Sequence, residues 1–126
     1  MTYKFFIIFL LLLFSANAEA ARLHPERFYQ QIWCDEHNGK VEHILPDRSR
    51  VDCLTEEYAV EVDFADKWPP KVIGQSVFYA QMMDKKPEVV LIMEIPEKDY
   101  KYLIRLLIPV QSNDGFAIWI ISSNKE

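Results

Sequence analysis

The chain has 126 residues and a formal net charge of −5, with 14 Lys and Arg against 19 Asp and Glu. This acidic balance argues against a non-specific DNA-coating protein, which carries a basic stripe, but it leaves room for an enzyme that binds cations beside a phosphodiester. The length fits one domain with one core rather than two, and no internal repeat, low-complexity stretch or linker interrupts it.

The chain opens on its strongest pattern. Lys4 is followed by an unbroken apolar run from Phe5 to Phe14, then by the small residues of Ser15-Ala16-Asn17-Ala18-Glu19-Ala20. A charged start, a short apolar middle and an A-x-A-like exit read as a cleavable secretory signal peptide over residues 1–20. Cleavage is expected after Ala20, with Ala18 as the alternative. A membrane anchor is the competing reading, but the run is only about half of the roughly 20 residues a spanning helix needs. Arg105 and Pro109 interrupt the best later candidate, Tyr100 to Val110. The expected product is therefore exported, periplasmic or secreted, free of the membrane after cleavage, with a single domain over residues 21–126 of unchanged net charge.

The elements follow in order. Pro25 to about Glu36 is expected to be a helix, with Pro25 at its start and Phe28, Ile32 and Trp33 as its apolar stripe. Asn38-Gly39 is a turn. Three short strands follow: Lys40 to Leu45, Arg50 to Thr55 after the Pro46–Ser49 turn, and Tyr58 to Ala65 after Glu56-Glu57. In the third, Tyr58, Val60, Val62 and Phe64 share one face, while Ala59, Glu61 and Asp63 share the other. Trp68-Pro69-Pro70 opens a helix to about Met83, with Val72, Ile73, Val77 and Phe78 as its apolar positions. Pro87 precedes a buried-type strand from Glu88 to Glu94. A helix from Glu97 to Ile108 is expected to stop at Pro109. Asn113-Asp114-Gly115 is a turn, and Phe116 to Ser122 is the last strand. The first three strands predict an antiparallel meander, which the fourth joins by a crossover.

Cys34 and Cys53 have two readings. Outside the cytoplasm they can pair, closing a loop of about 20 residues worth roughly 3 kcal/mol; alternatively they are two small buried apolar residues that never meet. A thiol metal site with His37 and His43 is disfavoured by the absence of a C-x-x-C pair.

Chemistry concentrates in Glu42, Asp52, Glu61 and Asp63. Alternation along a strand sends Glu61 and Asp63 to the same side, about 7 Å apart, and Asp52 on the preceding strand can stand beside them. Crowded carboxylates repel unless something positive lies between them, and a hard divalent cation, Mg2+ or Mn2+, suits oxygen ligands. The competing reading is an ordinary solvated sheet face.

The order and spacing of these elements resemble the PD-(D/E)xK nuclease superfamily, over most of the domain. Arg50-Val51-Asp52-Cys53-Leu54 resembles the strand with the first metal-binding aspartate. Ala59-Val60-Glu61-Val62-Asp63 resembles the (D/E)xK strand, with Glu61 as the second acidic ligand. Glu42 matches the upstream glutamate of the Holliday-junction-resolvase branch. Gln75-Ser76-Val77-Phe78-Tyr79 is similar to the Q-x-x-x-Y element of RecB-type nucleases; Gln75 and Tyr79 share one helix face. Pro46-Asp47 spells the motif letters but falls in a turn. The resemblance implies an α/β (α+β), restriction-endonuclease-like core in the order helix-strand-strand-strand-helix-strand-helix-strand, a mixed sheet flanked by helices. It also implies Mg2+ or Mn2+ held by Glu42, Asp52 and Glu61, and nucleic acid as the partner.

The chain departs from the family at one position. Asp63 occupies the place of the lysine that stabilises charge at phosphorus. Lys67, just past the strand end, is the candidate replacement, with Lys71 in reserve; Asp63 itself would add a ligand or order a water. Two functional readings follow: a metal-dependent nuclease with Lys67, Asp63, Gln75 and Tyr79 around the metal, and a non-catalytic binding module on the same fold.

Overall fold

The structure, a computed structural model, describes residues 22–67, 69–111 and 115–122. The expected signal peptide, Trp68 and the Asn113-Asp114 part of the last turn lie outside the described residues. The elements are α1 (Glu26–Glu36), β1 (Lys40–Ile44), β2 (Arg50–Leu54), β3 (Tyr58–Phe64), α2 (Pro69–Met83), β4 (Lys86–Ile92), α3 (Pro96–Val110) and β5 (Ala117–Ile121). This is the expected order, and the class is α+β. The five strands form one mixed sheet in the order β1-β2-β3-β4-β5. β1, β2 and β3 are an antiparallel meander, while β4 runs parallel to β3 and β5 parallel to β4. A parallel neighbour needs a crossover, and α2 and α3 supply the two crossovers.

The centre of the sheet is buried on both sides. On one, Tyr29 and Trp33 of α1 cover Val60, Val62, Phe64, Val90 and Ile92. On the other, Tyr79 and Ala80 of α2 pack with Val51 and Ala59, and Leu103 and Leu106 of α3 pack with Val89 and Leu91. Burial on both faces explains the near-continuous apolar run Val89-Val90-Leu91-Ile92 in β4.

Two helices bury only part of the expected stripe, Trp33 in one and Val72 in the other. α1 buries Tyr29, Gln30, Trp33 and Cys34, whereas Phe28 and Ile32 are exposed. α2 buries Val72, Ser76, Tyr79 and Ala80, leaving Phe78 outside. The small Ser76 lies against β4 and donates to the Glu88 carbonyl at 3.1 Å, and a bulkier residue there would push the helix off the sheet. Both prolines also sit inside elements rather than beside them. Pro87 pairs with Ala59 at the start of β4, one residue before the β5 ladder begins at Glu88, a position where no donor is needed. Pro109 falls in the last turn of α3, where it costs one helical hydrogen bond, and buried Val110 still closes the helix on the core.

Cys34 and Cys53 are joined in a disulfide, with Cα atoms 5.8 Å apart. It links the last turn of α1 to β2, and Gly39 lies directly over it. A Cβ on Gly39 would fall onto Cys53 Sγ and within 2.7 Å of Cys34 Sγ. Gly39→Ala is therefore expected to destabilise the oxidised protein by about 1–3 kcal/mol. After reduction the sulfurs can part, and the penalty should shrink. Denaturant midpoints of both proteins, with and without reductant, test this; an equal penalty in both states would reject the contact as its cause.

Candidate active site

Two carboxylates meet where the sheet opens. β2 and β3 pair only at Cys53–Val60 and Leu54–Ala59, so the next pair in that register, Asp52 and Glu61, stands at the mouth of a split. Their side chains take up the backbone donors there. Val62 N–H donates to Asp52 Oδ2 at 2.8 Å, and Asp52 N–H donates to Glu61 Oε1 at 3.3 Å.

β2 also turns over at Asp52. Val51 belongs to the core with Tyr79, and Cys53 to the opposite core with Trp33, although residues two apart in a regular strand share a face. β1 bends at the same level. Glu42, between the paired residues Val41 and His43, has φ 54°, a left-handed conformation costing a non-glycine residue roughly 1 kcal/mol or more. Such irregularities re-aim side chains. Gln30 of α1 holds this one in place, its Nε2 donating to Glu42 Oε1 at 2.9 Å and to the Asp52 carbonyl at 2.8 Å. Arg50 Nε stands 3.6 Å from the other Glu42 oxygen.

Glu61 is only 5% exposed, so it does not line a solvated sheet face. Burial, with the Asp52 charge beside it, pushes the Glu61 carboxyl up to about 9. Burial also lifts Asp52, to about 6; Glu42 adds to the rise, while the Val62 N–H and the bond from Glu61 oppose it. Of the two, Glu61 is the group that favours the protonated form, beside the Asp52 carboxylate.

The positive charge comes from Lys67. Its Nζ is 3.2 Å from Asp63 Oδ1 and 3.3 Å from Glu26 Oε2. Burial alone would lower the Lys67 pKa, but the two acids outweigh it and hold the ammonium above its ordinary range. Burial and the bond to Asp63 raise Glu26 to about 7. On α2, Tyr79 is 8% exposed. Its hydroxyl is pushed above its ordinary range by burial first and then by the Glu61 charge, with Ser49 as a hydrogen-bonding partner. Gln75 lies one turn before it, half-buried, and Lys71 is exposed near the start of the helix.

The structure therefore brings Asp52, Glu61 and Tyr79 together, sets Glu42 beside them through Gln30, and gathers Asp63, Lys67 and Glu26 at the end of β3. Glu26 and Gln30 were not anticipated. Their only sequence signal is polar side chains four apart on the face of α1 that also carries Tyr29 and Trp33.

Among the described residues, no group of three or more His, Cys, Asp or Glu side chains is arranged to hold a metal ion. The three expected ligands Glu42, Asp52 and Glu61 therefore do not form such a group, and only a sparser set is left to consider. Mg2+ keeps several waters and is held by one or two carboxylates together with substrate phosphates, and Asp52 and Glu61 are such a pair, crowded and desolvated in the way a cation would relieve. No family model, curated protein or solved structure matches the chain.

Proposed function

We propose that the chain is an exported, metal-dependent nuclease of the PD-(D/E)xK type that hydrolyses phosphodiester bonds of nucleic acid. One observation carries this reading. The family lysine belongs two residues after Glu61, and Lys67 Nζ lies 3.2 Å from the Asp63 side chain that occupies that place. This contact supports Lys67 as the source of the positive charge that the family draws from the E-x-K lysine.

Asp52 and Glu61 would hold the cation, with Glu42 as a neighbour steered by Gln30. When bound, the cation would polarise the phosphodiester and acidify the attacking water. Lys67 is held protonated by Asp63 and Glu26, so it faces the negative charge growing on the phosphate oxygens rather than accepting a proton. Gln75 and Tyr79 would orient the site or contact the backbone. The disulfide and the absence, among the described residues, of a helix able to cross a membrane are compatible with export.

Calorimetric titration with manganese tests the ligands. Asp52→Asn and Glu61→Gln are each expected to weaken binding by about a hundredfold, with the fold retained because volume hardly changes. Unchanged affinity in both variants would move the site elsewhere. A second reading, a non-catalytic binding module on the same fold, is favoured by the lack, among the described residues, of a three-ligand group. Cleavage of duplex, single-stranded and branched DNA and RNA by the purified protein, with magnesium or manganese, decides between them; no cleavage of any form favours the module.

A further inference from the structure

A second concavity lies at the opposite end of β3 and shares no residue with the acidic site. A cleft of about 340 Å³ opens between the C-terminal end of α1 and the start of β5, lined by Trp33, His37, Tyr58, Glu88 and Trp119, with Glu56 and Glu57 from the β2–β3 turn. Among the described residues no lysine or arginine lines it, although Lys86 Nζ stands 3.8 Å from the Glu57 carboxylate at its edge.

Its rings form a corner. Trp33 and His37 stack with centroids 3.8 Å apart, and Trp119 stands at 67° and 71° to them, 6.1 and 5.0 Å away. A carbonyl can only accept, so His37 Nδ1–H donates to the Trp33 carbonyl at 2.7 Å, which fixes the imidazole in this stack. The Trp119 indole remains 47% exposed, because α1 ends before it can cover β5, while Glu88 beside it is 2% exposed. Burial lifts the Glu88 carboxyl to about 7, and only His37 and the Trp119 indole N–H pull it back. A buried carboxylate is costly to ionise without a full positive partner.

We propose that this cleft binds a small organic cation of the quaternary-ammonium class, with the aromatic corner around its methyl groups and Glu88 as its counter-charge. Ring faces attract such a cation without requiring hydrogen bonds from it. The half-exposed Trp119 supplies the open ring face; Glu57 already has Lys86 Nζ at 3.8 Å, so Glu88 is the buried lining carboxylate left for an incoming cation.

The test is calorimetric titration of the purified protein with choline, alongside 3,3-dimethylbutanol, which has the same shape without the charge. Choline is expected to saturate with a Kd of roughly 1 mM, and the alcohol to bind at least about tenfold more weakly. Trp119→Ala and Glu88→Gln should each weaken choline by roughly threefold to thirtyfold; the half-exposed Trp119 can be removed without opening the core, so its variant should keep its fold by circular dichroism. Vesicles of phosphatidylcholine, compared with phosphatidylglycerol, separate a lipid-borne headgroup from a free solute; selective retention on the first, or binding of free choline alone, both support the trimethylammonium chemistry. Equal affinity for choline and the alcohol, unchanged affinity in Trp119→Ala, or no saturation by choline would overturn it.

Discussion

Replacing Lys67 by methionine is expected to cut nucleic acid cleavage by a hundredfold to a thousandfold while manganese still binds. The change keeps most of the apolar stem and removes one charge. Loss of a single well-placed contact to a developing oxyanion raises the barrier by about 3–4 kcal/mol. The effect on folding should be small, because Lys67 is half-exposed and its two ion pairs are partly solvated. Single-turnover cleavage at saturating manganese measures the effect apart from metal affinity. Asp63→Lys is the complementary change. Beside a working Lys67 it brings two cations together and should lower metal affinity; in a site that has lost catalysis it restores the family residue and should raise cleavage. Full activity in Lys67→Met would dismiss Lys67 and shift the role to Lys71.

The second large effect is on stability and depends on pH. Glu61 ionises near the ordinary carboxylate range in the unfolded chain but only near about 9 when folded. The folded state therefore holds its proton more tightly. Below the unfolded value the group costs nothing, and stability is lost as pH rises from there toward about 9. The Asp52 rise to about 6 acts in the same direction over a narrower window. Glu61→Gln removes the larger contribution. Its amide oxygen can still accept from Asp52 N–H, and its NH2 group can take the place of the carboxyl proton. The variant is expected to be about 2–4 kcal/mol more stable than the parent at pH 8, and nearly equal to it at pH 4. Urea midpoints across that range measure it, and the same difference at both ends would reject proton linkage as the cause. Manganese should offset the loss at pH 8 in the parent alone, since metal binding competes with the proton.

The order of elements is legible because alternation, turn residues and prolines punctuate the chain at nearly every boundary. The errors come from tertiary placement. Phe28, Ile32 and Phe78 are apolar at helical spacing, yet each helix rotates to bury a neighbouring set, because Cys34 must reach Cys53 and Ser76 must lie against β4. Pro109 is a stop signal in isolation, but a helix already in its last turn has little left to lose. At the acidic site, the shared side of Glu61 and Asp63 follows from alternation alone. The turnover of β2 at Asp52 and the bend at Glu42 do not, since neither position carries a glycine or proline to announce an irregular backbone. Glu26 and Gln30 are hidden for another reason. They join the site across the sequence from a helix whose apolar residues explain its presence without them.

The bridge between Cys34 and Cys53 bears on how the site is held together. Cys53 is the residue after Asp52, and the helix carrying Cys34 also carries Glu26 and Gln30, the groups that meet Lys67 and Glu42. The cross-link works as a strut, fixing that helix against the strand from which Asp52 projects. When the bridge is reduced the strut is missing, and the helix is held by packing, by the Gln30 hydrogen bonds and by the Glu26–Lys67 ion pair. The bridge adds a covalent tie to those weaker ones, between the helix that bears Glu26 and Gln30 and the strand that bears Asp52.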